Sequence, residues 1–96
     1  MLSVANIKEK ITPICVKYGV KNAYLFGSYA RGDADGESDV DLHIEKGKIR
    51  NLFQMCGFRS DVIEALGKDV DIVSITPRAE EFRENLAREE ILLYEA

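Results

Sequence analysis

Ninety-six residues, 46% of them apolar and 31% charged, supply one hydrophobic core and leave no room for a second lobe, so residues 1–96 are expected to form a single domain. Acidic residues outnumber basic ones by 17 to 13, a formal net charge of −4, which argues against nucleic acid gripped through a general surface field. A nucleotide stays compatible with that charge, because a bound divalent ion reverses the sign locally.

Val4, Ile7, Ile11, Ile14, Cys15 and Tyr18 recur at steps of three and four, the period of an amphipathic helix. Ser3 suits its N-cap and Gly19 its end, while Pro13 inside the pattern predicts a kink or two short helices. Ala23 to Phe26 reads as a short buried strand running into Gly27. Val40, Leu42 and Ile44 then alternate with Asp39, Asp41, His43 and Glu45, a half-buried strand with its acids on the open face.

Leu52, Met55, Cys56, Val62, Ile63 and Leu66 mark a second helix, roughly Ile49 to Leu66, ended by Gly67. Gly57 in its middle is a candidate break. Cys15 and Cys56 both fall on apolar helix faces and read as buried reduced thiols. In the next strand Val70 and Ile72 share one side, and Asp69, Asp71, Val73 and Ile75 the other. Thr76-Pro77 opens a last helix with Phe82, Leu86, Ile91, Leu92 and Tyr94 as its apolar contacts. The apolar run Ile91 to Tyr94 either packs back on the core or forms a homo-oligomer contact. The order helix, strand, strand, helix, strand, helix predicts a small α/β or α+β sandwich. No signal peptide is visible and no apolar run approaches the roughly 18 residues of a membrane span, so a cytoplasmic location without membrane association is expected.

Chemistry concentrates between residues 27 and 41. The Gly27-Ser28 turn lets backbone approach a ligand closely, and successive amides near such a turn can face a phosphate. Ten residues later, Asp39-Val40-Asp41 puts two carboxylates on one strand face, roughly 6.6–6.8 Å apart at the backbone. They can converge on one magnesium ion or bridge two. Asp71, on a strand able to lie alongside, is the preferred third carboxylate. Like-charge repulsion of about 2.8 kcal/mol per pair, for 6 Å and an effective dielectric of 20, is a cost that structure alone gives no reason to bear. A helix-loop-helix calcium loop is excluded: counted from Asp33, its sixth and twelfth places hold Ser38 and Ile44 instead of Gly and Glu. Asp33, Asp35 and Glu37 read as a solvated loop.

Gly27-Ser28, ten residues and Asp39-x-Asp41 resemble the signature of the DNA polymerase β-like nucleotidyltransferases. The run Leu25 to Gly32 and Val70-Asp71-Ile72-Val73 look like its minimal nucleotidyltransferase (MNT) members. The resemblance spans Tyr18 to Val73. It implies the nucleotidyltransferase fold, a small mixed β-sheet with helices packed against it. It also implies that Gly27 and Ser28 bind the triphosphate, with Arg31 placed to meet a phosphate oxygen. Asp39, Asp41 and Asp71 then form the catalytic, metal-holding set for one or two Mg2+ ions. Members of this group are often antitoxins of helical HEPN ribonuclease toxins, and some transfer AMP from ATP to a toxin tyrosine. A Mg-dependent protein adenylyltransferase with ATP as substrate and a HEPN-family partner is therefore implied. The rival reading is a catalytically silent nucleotide-binding antitoxin that masks its partner by binding.

Overall fold

The computed structural model of the chain describes residues 2–75 and 90–96. Helix α1, Val4–Tyr18, starts from a reciprocal cap in which Ser3 Oγ accepts from the Asn6 amide and Asn6 Oδ1 accepts from the Ser3 amide. Gly19 ends it in the left-handed conformation at φ 71°. Pro13 does not divide this 15-residue helix, contrary to expectation. The proline lies on the exposed side, where water can take the Glu9 carbonyl it leaves unbonded, while Ile7, Ile11 and Cys15 anchor the opposite stripe.

Strand β1, Asn22–Phe26, leads into a five-residue helix α2, Gly27–Arg31, where the sequence suggests only a turn. Strand β2 is Val40–Glu45, helix α3 Leu52–Leu66, strand β3 Val70–Ile75 and strand β4 Ile91–Glu95. The four strands lie in the order β3-β2-β1-β4. β1 is antiparallel to β2 and β4, while β2 and β3 are parallel. The fold is thus α+β with a mixed sheet, and α3 is the crossover that parallel neighbours require.

One face of the sheet carries the core. Ala23, Leu25, Val40, Leu42, Ile44, Val70 and Leu93 are buried with Ile7, Ile11 and Cys15 of α1 and Phe58, Val62 and Leu66 of α3. Each such side chain, fully withdrawn from water, contributes roughly 1.5–3 kcal/mol of transfer free energy before entropy is subtracted.

Three expectations change here. The last helix was to include Ile91, Leu92 and Tyr94, but these residues form β4 against β1, and Leu93 packs back into the core. The part of that helix over 76–89 lies outside the described residues. α3 starts at Leu52, capped by Asn51, and Ile49 is buried in the loop before it. Its buried stripe is Phe58, Val62 and Leu66, which leaves Cys56 exposed and Leu52 and Phe53 at 75% and 90% exposure.

Gly57 explains that rotation instead of breaking the helix. A Cβ there would stand 2.8 Å from Tyr18 Oη. The missing side chain admits Tyr18, whose ring meets Phe58 edge-on at 5.7 Å and whose hydroxyl donates to Asp61 Oδ2 at 2.9 Å.

Candidate active site

The second sheet face holds the polar chemistry. In β2, Val40, Leu42 and Ile44 turn to the core, so Asp41, His43 and Glu45 turn away from it. The antiparallel register sets Asp41 opposite Phe26, the residue before Gly27. The parallel register sets Asp41 beside Asp71. Residues paired across neighbouring strands share a face, so Asp41 and Asp71 face the same side, with the Gly27 elbow at the strand end. Asp39 stands just before β2, exposed, and alternation puts it on this side as well. Val40 N–H, which follows it, donates to the Asp69 carbonyl at 3.2 Å and fixes the entry of β2 against β3.

Gly27 is required twice over. Its φ of 71° lies in the left-handed region, and a Cβ would run into the Asp41 carboxylate. Ser28 follows in the first turn of α2, and its carbonyl accepts from the Gly32 and Asp33 amides, both at 3.0 Å. Arg31 is exposed, its Nε 3.2 Å from Asp33 Oδ2. An exposed pair of this kind is worth little, so a phosphate could displace Asp33 at small cost.

The electrostatics of Asp41 record the crowding. Its carboxyl is pushed above the ordinary range by partial burial, then by the negative charges of Asp71 and Asp39; His43 and Arg31 oppose the shift. Burial pushes His43 down, with Asp41 pulling the other way, and its ring stacks on Phe26 with centroids 3.8 Å apart. Glu45 departs from the predicted open face: it is 2% exposed, with Oε2 3.8 Å from Lys21 Nζ.

The connecting loop is solvated as expected, with Asp33, Asp35 and Glu37 exposed. It is nevertheless ordered by its own bonds. Asp35 accepts from the Glu37 amide at 2.9 Å and from Ser38 Oγ at 3.2 Å, which hold its carboxyl below the usual value. Lys68 Nζ donates to Tyr29 Oη at 2.7 Å and to the Gly36 carbonyl at 3.1 Å. The sequence gives no signal for that lysine, since a cation after a helix-ending glycine reads as solvated.

Among the described residues, no group of three or more His, Cys, Asp or Glu side chains is gathered tightly enough to enclose an ion unaided. The donor set still suits magnesium, which binds through one or two carboxylates and completes its shell with water and substrate phosphate oxygens. Asp41 and Asp71, side by side with Asp39 near, offer such an open set, and a cation would relieve the part of the Asp41 shift that comes from Asp71 and Asp39 after burial.

A glycine elbow at the end of one strand, set against carboxylates on two others, is the layout of a nucleotidyl-transfer fold. Residues 9–96 match the family described as polymerase beta, nucleotidyltransferase, and the chain belongs to that family. A candidate protein adenylyltransferase of Methanocaldococcus jannaschii is 40% identical over 73 residues, covering 76% of this chain and 78% of the relative. A solved candidate minimal nucleotidyltransferase superposes with a TM-score of 0.74 at 31% identity, covering 94% of this chain and 95% of that one. The fold is also shared with a complex of tri-AMPylated Shewanella oneidensis HEPN toxin and MNT antitoxin, at TM-score 0.68 and 18% identity over 97% of this chain and 73% of that one. Among the described residues, no helix is long and apolar enough to cross a membrane.

Proposed function

We propose that this chain transfers AMP from ATP to a tyrosine hydroxyl of a HEPN-type partner protein and so acts as its antitoxin. The observation that carries the reading is the in-register pair Asp41–Asp71 beside Gly27, with Asp41 raised by partial burial and then by its acidic neighbours. The resemblance of the chain to an adenylyltransferase, and of its fold to a chain in a complex with an AMPylated toxin, supports the choice of AMP and of partner.

In this reading the Gly27 and Ser28 amides hold the β- and γ-phosphates, and Arg31 exchanges Asp33 for a phosphate oxygen. Asp39, Asp41 and Asp71 hold one or two Mg2+ ions. When bound, these supply charge stabilisation for the transferring phosphoryl group and the leaving pyrophosphate. The acceptor oxygen attacks the α-phosphorus in line, the bond to the bridging oxygen breaks, and pyrophosphate departs. Asp71, exposed where Asp41 is half-buried, takes the hydroxyl proton.

Incubation with α-labelled ATP, Mg2+ and the protein encoded by the neighbouring gene tests the proposal. Label on a partner tyrosine is the expected result. A tight complex that stays unlabelled would overturn transfer and leave masking by binding as the function.

A further inference from the structure

Lys68 ties together the three segments that carry the candidate site, and we propose that it is their positioning residue. Its Nζ donates at once to Tyr29 Oη at 2.7 Å and to the Gly36 carbonyl at 3.1 Å. Tyr29 directly follows Ser28 in α2, and its ring is buried in the core at 5% exposure, so its hydroxyl is a fixed anchor. Gly36 lies three residues before Asp39, in a loop whose other bonds around it are short-range ones centred on Asp35. Lys68 itself lies three residues before Asp71, between the end of α3 and the start of β3. One ammonium group therefore links the glycine elbow, the approach to Asp39 and the approach to Asp71.

The side chain is half-buried, unlike most surface lysines, and its charge helps to hold the Asp35 carboxyl ionised. An ammonium fits this place because it has three rotatable donors and no fixed plane, so it can serve two acceptors in different directions. A neutral aliphatic side chain would keep the packing and lose both bonds. The inference rests on the reading of Asp39, Asp41 and Asp71 as the Mg·ATP site, and the tether itself can be measured without nucleotide.

The test compares the unsubstituted chain with Lys68→Met, Lys68→Arg, Tyr29→Phe and the Lys68→Met/Tyr29→Phe pair. In ligand-free protein, Lys68→Met should speed backbone hydrogen exchange over residues 33–39 by about tenfold or more and leave α1 unchanged. Its affinity for Mg·ATP should weaken by about 10- to 100-fold, the usual cost of losing a group that orients metal ligands. Lys68→Arg should restore part of both effects. Tyr29→Phe, which keeps the Gly36 bond, should fall between, and the pair should be no worse than Lys68→Met alone. Exchange and affinity within twofold of the unsubstituted chain in Lys68→Met would overturn the inference. Should that variant fail to fold, unaltered exchange and affinity in Tyr29→Phe would overturn it equally. Absence of Mg·ATP binding by the unsubstituted chain would sink the nucleotide reading, with the tether then judged on exchange alone.

Discussion

Val40, Leu42 and Ile44 turn one side of β2 into the core, where each is fully buried between α1 and α3. On the other side of the same strand Asp41 lies in register with Asp71, and partial burial followed by the charge of that neighbour makes its carboxyl harder to ionise. The first side supplies the free energy that keeps the strand in place, and the second uses some of it to hold like charges together. A repulsive cluster persists only where its backbone is fixed by something else, and here the something else is the alternate residue. Substitutions on the two sides should accordingly have opposite signatures.

The largest separation is expected from Asp39→Asn combined with Asp41→Asn. AMP transfer should fall by at least about 1,000-fold, while the melting temperature without Mg2+ rises because the repulsion is gone. Labelled transfer and thermal melts of the same preparation check both halves, and a lowered melting temperature would break the comparison. Leu42→Ala reverses the pattern, with about 2–5 kcal/mol of stability lost in urea titrations and near-normal Mg·ATP binding wherever the chain remains folded.

Gly27→Ala touches both sides of the argument. Its left-handed backbone should cost about 1–3 kcal/mol, and the added methyl would displace the Asp41 carboxylate. Nucleotide affinity should therefore drop further than stability does, as titration calorimetry beside denaturation would reveal.

The smallest effect concerns pH. Because the folded Asp41 carboxyl lies above its unfolded value of 3.8, the native state binds the extra proton. Stability from this group is greatest below 3.8 and declines as pH rises through the raised folded value. Asp61 shifts the other way, lowered first by its bond from Lys17 and then by that from Tyr18. Its contribution is present above the ordinary carboxylate value and fades as pH falls through the lowered one. The difference between the unsubstituted chain and Asp41→Asn isolates the first slope in urea titrations across this window, and Mg2+ should abolish it.

Much of this organisation is legible in the residues themselves. Period-two alternation gives β2 and β3 their faces, and the Ser3 cap and the glycines at 19 and 67 mark helix ends. The adjacency of Asp41 and Asp71 also follows, because a helix between two strands favours a parallel pair. What local pattern misses is decided by tertiary contact. Ile91 to Tyr94 have no periodicity that separates strand from helix, and only the open edge of β1 selects the strand. The rotation of α3 depends on Tyr18 entering over Gly57, 39 residues away in the chain, so Cys56 reads as buried when it is not. Lys68 is silent for the same reason, since both its acceptors belong to other segments.

Among the described residues β3 pairs with β2 alone, whereas β2 and β1 each have two neighbours. Detaching that outermost ribbon needs fewer ruptured bonds than melting the molecule, and it would carry Asp71 away with it. Under the proposed function, AMP transfer should consequently fade on mild heating before the bulk of the secondary structure does, and return on cooling.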